Sequence, residues 1–396
     1  MIIGRLIKLT MVSTIMLFAF GCSNPKSTNS DFLQTISIDP SKVVTVTADQ
    51  IFSNIDYVIL SNDDHIIGSI SKIKLFDDQY FVLDADYTNS LYVHDSNGLF
   101  ITKIGMEGVG PEEYQDINDF TIVTVNGSPQ IWLLDIGRGY FTLVIYDLNG
   151  NFITKIKSNL MANFIEYFDS GLLLFSTANQ CNDDFCSDKF VTDLDLNVLS
   201  VGSKPLDFYE ENWIEPRQPI SVSNTQASIT TYGQNSIESI DTETGAIVKD
   251  IFIDFGDSQI PEELMTTFGG SYEQYHNALN KSKFCYEIDN LFRNKDALYF
   301  SFDYGNRTLF FLSTQAHDDD LIFENIKLSN DSQLTLNLGI DGSDGNTLFS
   351  QLNPEYLQAT FEENESFLKN NKSIFKEISE KLTKDSNHVI LRLELK

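Results

Sequence analysis

The chain has 396 residues, with 27 Lys and Arg against 57 Asp and Glu, for a formal charge of −30. Hydrophobic residues make up 42% and aromatic residues 12%, enough core-forming material to exclude a disordered chain. With only 22 Gly and 9 Pro, collagen-like and low-complexity classes are excluded, and the acidic excess argues against nucleic acid as a partner, because phosphate neutralisation needs clustered cations.

Arg5 and Lys8 precede an apolar stretch from Leu9 to Phe20, the pattern of a signal peptide and too short to span a bilayer comfortably. It ends in Ala19-Phe20-Gly21-Cys22, which resembles a bacterial lipobox, although Ala19 stands where Leu is usual. A signal peptide is therefore expected over residues 1–21, and a lipidated Cys22 with a flexible tether over 22–40. A single folded domain is expected over 41–396. No acidic run follows Cys22, so the expected address is the outer membrane facing the periplasm, reached through the lipid alone.

Beyond the tether, Tyr57-Val58-Ile59-Leu60 reads as a strand with no partner nearby. Residues 91–104 (LYVHDSNGLFITKI) and 143–156 (LVIYDLNGNFITKI) then repeat at an offset of 52, each an apolar strand, an Asp-x-Asn-Gly turn and a second strand. Asn-Gly between apolar runs is a strong hairpin signal, since both residues tolerate positive φ. Cys181 and Cys186 flank a short loop between two strands, close enough for a disulfide in an oxidising compartment. Weaker echoes of the repeat follow over 190–201, 237–253 and 297–328.

Helical insertions are expected over 257–284 and 354–384. In the second of these, Phe367, Ile374, Phe375, Ile378 and Leu382 share one helical face. Alternation of Val389, Leu391, Leu393 and Leu395 with His388, Ile390, Arg392 and Glu394 marks a final strand.

Repeats of about 40–55 residues built from several short strands indicate a propeller. The expected fold is all-β: a six-bladed β-propeller whose composite closing blade takes three strands from the C-terminal end (333–340, 345–352, 389–395) and its outer strand from 55–60. The segment from Leu83 to Asp95 with Asn97-Gly98, and Phe302 to Phe310, resemble NHL-type repeats. Gly105-Met106-Glu107-Gly108-Val109-Gly110-Pro111-Glu112-Glu113-Tyr114 resembles the glycine-rich junction between such blades. On these residues and the lipobox, the chain is similar to the six-bladed propeller lipoproteins of Bacteroidetes.

Chemistry-bearing motifs are sparse. His65, His94, His276, His317 and His388 show no paired spacing, and there is no nucleophile elbow, phosphate loop or dinucleotide fingerprint. Asp341-Gly342-Ser343-Asp344-Gly345-Asn346 has the look of a calcium-loop start but lacks the closing Glu, and reads as a polar hairpin turn. Asp318-Asp319-Asp320 reads as a solvated loop tip. Cys285 reads as a buried small hydrophobe. Arginine is scarce in this acidic chain, so Arg138, Arg217 and Arg307, with Tyr140 and Trp213, are the candidate ligand-binding residues in loops.

The function these features favour is an envelope-anchored, monomeric, non-enzymatic recognition or scaffold module for a protein, peptide or glycan, without a cofactor. The alternative is a metal-dependent hydrolase or lyase holding calcium or another divalent cation on the propeller axis, with unidentified ligands.

Overall fold

Alternating apolar residues make each strand two-faced, and the sheets bury both faces only by stacking on one another. In a computed structural model the described residues are 31–396, apart from 63–64, 137–139, 184, 206–216, 224–225, 262–263, 265–271, 318, 329–334, 337–338, 365–373 and 384–385. Residues 32–396 form one compact unit.

Among the described residues there are seven sheets. Sheet 1 comprises Lys72–Phe76, Gln79–Asp84, Ser90–Asp95 and Phe100–Ile104. Sheet 2 comprises Ile117–Val125, Ser128–Ile136, Phe141–Asp147 and Phe152–Lys157. Sheet 3 comprises Phe164–Phe168, Leu172–Ser176, Lys189–Asp193 and Val198–Val201. Sheet 4 comprises Ile220–Ser223, Gln226–Thr230, Ser236–Ile240 and Ile247–Asp254. Gln34–Ser37, within the stretch expected as tether, adds to it as a fifth, parallel strand. Sheet 5 comprises Cys285–Arg293, Ala297–Tyr304, Arg307–Thr314 and Leu321–Phe323.

Sheet 6 is small, joining Val46–Thr47, Ile326–Lys327 and Thr335–Leu336. Sheet 7 comprises Gly342–Asp344, Thr347–Leu352, Val389–Leu395 and Phe52–Ile59, so its outer strand comes from the opposite end of the chain.

The six-bladed ring expected from the repeats is thereby corrected to seven blades. Within the stretch expected to start the closing blade (333–340), Thr335–Leu336 belong instead to the separate three-stranded sheet 6, and the first strand of the closing sheet is Gly342–Asp344. Strands of two residues are too short to show alternation, which is why sheet 6 left no repeat in the sequence.

First strands of adjacent sheets touch around the centre: sheets 2 and 3, 3 and 4, 4 and 5, and 7 and 1. Apolar clusters fill the gaps. Phe81, Val93, Phe120 and Leu133 pack between sheets 1 and 2, and Leu134, Phe141, Phe175 and Phe190 between sheets 2 and 3. Sheet 6 contributes Val46, Ile326 and Leu336 to the cluster shared by sheets 5 and 7.

The Asp-x-Asn-Gly segments join the third and fourth strands. Asp95 Oδ1 accepts from the backbone N of Asn97 at 2.8 Å and of Leu99 at 2.9 Å, and Gly98 takes the positive φ of +84° that closes the turn. Asp147 and Gly150 do the same in sheet 2. Helices occur in the two expected insertions: Tyr272–Asn280 before sheet 5, and Pro354–Glu363 and Ile374–Lys381 between the second and third strands of sheet 7. Asn353 starts the Pro354 helix by accepting from Glu355 N at 2.9 Å.

Candidate functional site

The first strand of sheet 1 carries Lys72 and Lys74 two residues apart, so both point the same way, toward the other first strands. Lys72 Nζ donates to both carboxylate oxygens of Asp119, at 2.8 and 3.0 Å, and to the carbonyl of Ile165 at 3.2 Å. It also pairs with Glu166 Oε1 at 2.9 Å, and Lys74 Nζ reaches Glu166 Oε2 at 2.6 Å. The four side chains therefore tie sheets 1, 2 and 3 together at the centre, and Lys72, Asp119 and Glu166 are buried.

Burial alone would discharge the Lys72 ammonium, but Asp119 and Glu166 outweigh it and raise its pKa. Burial raises Glu166 as well, yet Lys72 and Lys74 prevail and hold it below the usual carboxylate range. Asp119 is raised by burial despite Lys72.

Above this network opens a pocket of about 210 Å³, bordered by Ser69, Asn118, Phe164, Arg217, Asp341 and Gln351. Its walls are the starts of the first strands, together with Ala85 and Asp86 from the second-to-third connection of sheet 1. Antiparallel strands alternate in direction, so every connection into a first strand, and every second-to-third connection, lies on this one face. Gln218 Nε2 donates to the Ser71 carbonyl at 3.1 Å, joining sheets 4 and 1 across the mouth. Asp341 accepts from Gln351 N at 2.6 Å, and burial pushes its carboxyl up to about 6. Asp289, which accepts from Arg217 N at 2.8 Å, is pushed up to about 7 by burial.

A second pocket of about 120 Å³ on the same face lies between sheets 4 and 5, beside the Tyr272–Asn280 helix. There the Tyr232 hydroxyl donates to Glu287, and His276 Nδ1 lies 3.4 Å from the Glu287 carboxylate.

The candidate residues fall out as follows. Arg217 is exposed at the mouth of the larger pocket. Arg307 is paired with Glu324 at 2.8 Å, an ordinary tie between neighbouring strands. Tyr140 is half exposed beside the third strand of sheet 2. Cys22, Arg138 and Trp213 lie outside the described residues. Cys181 and Cys186 are joined by a disulfide, with Cα atoms 4.4 Å apart, in the second-to-third connection of sheet 3. Cys285 is buried, and burial pushes its thiol up. Two of the five histidines meet: His65 Nε2 lies 3.0 Å from His94 Nε2, away from both pockets.

Gly342–Asp344 is a strand, with the turn following it, and Asp318 lies outside the described residues. Among the described residues no group of three or more His, Cys, Asp or Glu is placed to hold a metal ion. The Lys72 network was missed in the sequence, where its signal is a pair of lysines alternating with the buried Ile73 inside an apolar strand.

The profile of the family described as Domain of unknown function (DUF4934) matches residues 33–394. The chain belongs to the DUF4934 family. That assignment replaces the resemblance to six-bladed NHL-type lipoproteins, which rested on hairpins that propellers of other blade number also contain. Among solved structures, a protein of Bacteroides fragilis NCTC 9343 named as exported superposes with a TM-score of 0.74 at 18% identity, covering 92% of this chain and 100% of that one. This likeness shows the propeller fold alone. A DUF4221 member from Bacteroides vulgatus gives a TM-score of 0.47 at 9% identity over 87% of this chain and 97% of that one. Virginiamycin B lyase from Staphylococcus aureus gives 0.40 at 14% identity over 75% and 81%. No curated protein matches this DUF4934 chain.

Proposed function

We propose that this DUF4934 chain is a non-enzymatic recognition module of the cell envelope, held there by a lipid on Cys22, and that it binds its partner on the face bearing both pockets. The observation that carries this reading is the Lys72–Asp119–Glu166–Lys74 network. Lysine ammonium groups already occupy the positions beside the two central carboxylates, so an axial cation would have to displace them against a buried ion pair. Binding is left to the mouth and the loops around it, where Arg217 offers an exposed guanidinium and Phe164 an aromatic face. The basic residues and apolar run before Cys22 support the envelope address.

Titration of the purified chain with Ca²⁺, Mn²⁺ and Zn²⁺, alongside peptide and glycan arrays, tests the reading. Saturable peptide or glycan binding weakened by Arg217→Ala supports it. Stoichiometric binding of one divalent cation that disappears in Glu166→Gln, together with turnover of an ester or glycan, overturns it.

A further inference from the structure

Three connections on the pocket face, 60–71 (described over 60–62 and 65–71), 85–89 and 105–116, present large apolar side chains that folding leaves uncovered. Val109 is 90% exposed, Ile66 and Tyr87 75%, and Met106 62%. The outer strands also expose apolar side chains, Ile101 and Ile153 singly and Val198, Leu199 and Val201 together on sheet 3, but none of these is more than 53% exposed. The first four instead sit on connections that are hydrogen-bonded in series. Gly68 N donates to Asp84 Oδ2 at 2.7 Å, and a Cβ at Gly68 would fall 2.6 Å from the Tyr87 Cβ, so the first two connections are in contact. Asn89 Nδ2 donates to the Gln115 carbonyl at 2.9 Å, and Ile117 N to Asn89 Oδ1 at 2.8 Å, which joins the second to the third.

The third connection is held rigid from within. Glu113 folds back so that its carboxylate accepts from Gly110 N at 2.7 Å, filling the space that side chains at Gly108 and Gly110 would need. Tyr146 donates its hydroxyl to the Glu112 carbonyl at 2.6 Å. Val109 is thus displayed at the apex of an ordered loop, and the ordering cost of binding there is already met in the free protein.

Charge identifies the partner. Residues 60–71, 85–89 and 105–116 contain no Lys or Arg, and Asp86, Glu107, Glu112 and Asp116 are exposed among the apolar side chains. Two lysines of adjoining outer strands border the third connection: Lys103 interacts with Glu107, and Lys155 turns in to the loop and donates to the Gly110 carbonyl at 3.3 Å. An apolar surface rimmed by carboxylates repels anionic headgroups, and it repels a second copy of a chain whose net charge is −30.

We infer that this surface docks a basic, apolar-anchored segment of a partner protein, with Lys or Arg set against the carboxylates and large apolar side chains against Tyr87 and Val109. The inference rests on the recognition reading above and names its partner class.

The test uses the full chain in detergent and three labelled synthetic peptides: alternating Lys and Leu, the same with Glu for Lys, and oligolysine. Fluorescence anisotropy is expected to show saturable binding of the Lys-Leu peptide only, weakening with salt and falling at least tenfold in Tyr87→Ala/Val109→Ser. Glu107→Lys/Glu112→Lys, which reverses charge without touching apolar side chains or the pocket lining, should weaken it as well, and both variants should melt as the unmodified chain does. Equal binding of the Glu-Leu peptide, or unchanged affinity in both variants, overturns the inference, as does binding to anionic vesicles or a concentration-dependent dimer that these substitutions abolish. Glycan or peptide binding lost in Arg217→Ala but untouched by the loop variants would sink this surface while leaving the recognition reading standing.

Discussion

Lys72 Nζ lies 2.9 Å from Glu166 Oε1 and so joins the first strand of sheet 1 to the first strand of sheet 3, passing the first strand of sheet 2 on the way. Removing one member of a buried ion network leaves its partners uncompensated, which costs about 3–5 kcal/mol. Lys72→Met should therefore destabilise the chain by that order, as measured by urea unfolding at pH 8. The loss should shrink at pH 5, because Asp119, whose carboxyl burial already raises, can then take up a proton instead of standing charged. A variant equally destabilised at both pH values would mean that packing of the lysine stem, and not its charge, matters at the centre.

Asp341 supplies a pH signature of the opposite sense. Its folded pKa, raised by burial to about 6 from 3.8, means that the folded state holds a proton the unfolded state releases between these values. Its contribution is fully present below pH 4 and is lost as pH rises through 6, by roughly 3 kcal/mol. Asn in its place still accepts from Gln351 N but loses the 3.1 Å bond that Gln351 Nε2 donates. Asp341→Asn should thus be about 1–2 kcal/mol more stable than the unmodified chain at pH 8 and about 1 kcal/mol less stable at pH 4. Melting temperatures at the two pH values check the crossing of the curves.

Local chemistry was legible in the sequence and distant pairing was not. Asp95, Asn97 and Gly98 announce a turn because all its hydrogen bonds close within five residues. The small sheet 6 announces nothing, since Val46 pairs with Ile326 and each strand is two residues long. The central network escaped for the same reason: Lys72 and Asp119 are 47 residues apart, and neither stands in a motif. Arg217 stood out because arginine is rare in this chain, and so did Arg307, although the latter is spent on Glu324. Composition drew attention to both; only geometry separates them.

Two glycines with nearly equal φ separate backbone strain from steric contact. Gly98 has φ +84° and Gly127 has φ +79°, so alanine at either position adopts a left-handed conformation costing about 1–2 kcal/mol. A Cβ at Gly127 meets nothing within 4 Å, whereas one at Gly98 meets the Ile59 carbonyl and lies 2.8 Å from Val58 Cγ1, on the outer strand of sheet 7. Gly98→Ala should therefore cost about 1–3 kcal/mol more than Gly127→Ala, as overpacking does. Paired thermal melts decide it, and equal losses would show that the turn yields.

In sheet 7 the chain's two ends pair with each other. Val389–Leu395 lies between Thr347–Leu352 and Phe52–Ile59, with Leu391 opposite Ser350 on one side and Tyr57 on the other. Val389, Leu391, Leu393 and Leu395 face the cluster shared with sheets 5 and 6, while Ile390 faces the cluster between sheets 7 and 1. The strand thus contributes to the apolar packing on both sides of sheet 7. Leu391→Ala leaves the hydrogen bonds in place and opens a cavity, for which about 2–5 kcal/mol is expected. Removing 388–396 takes away a central strand and leaves Phe52–Ile59 unpaired, exposing two strand edges and both clusters. That loss exceeds the ~5–15 kcal/mol by which domains are stable. The truncated chain should lack a cooperative melt and aggregate in size-exclusion chromatography, while Leu391→Ala remains folded with a lower melting temperature. A truncated chain that stays monomeric and melts cooperatively would place the closure elsewhere in the ring.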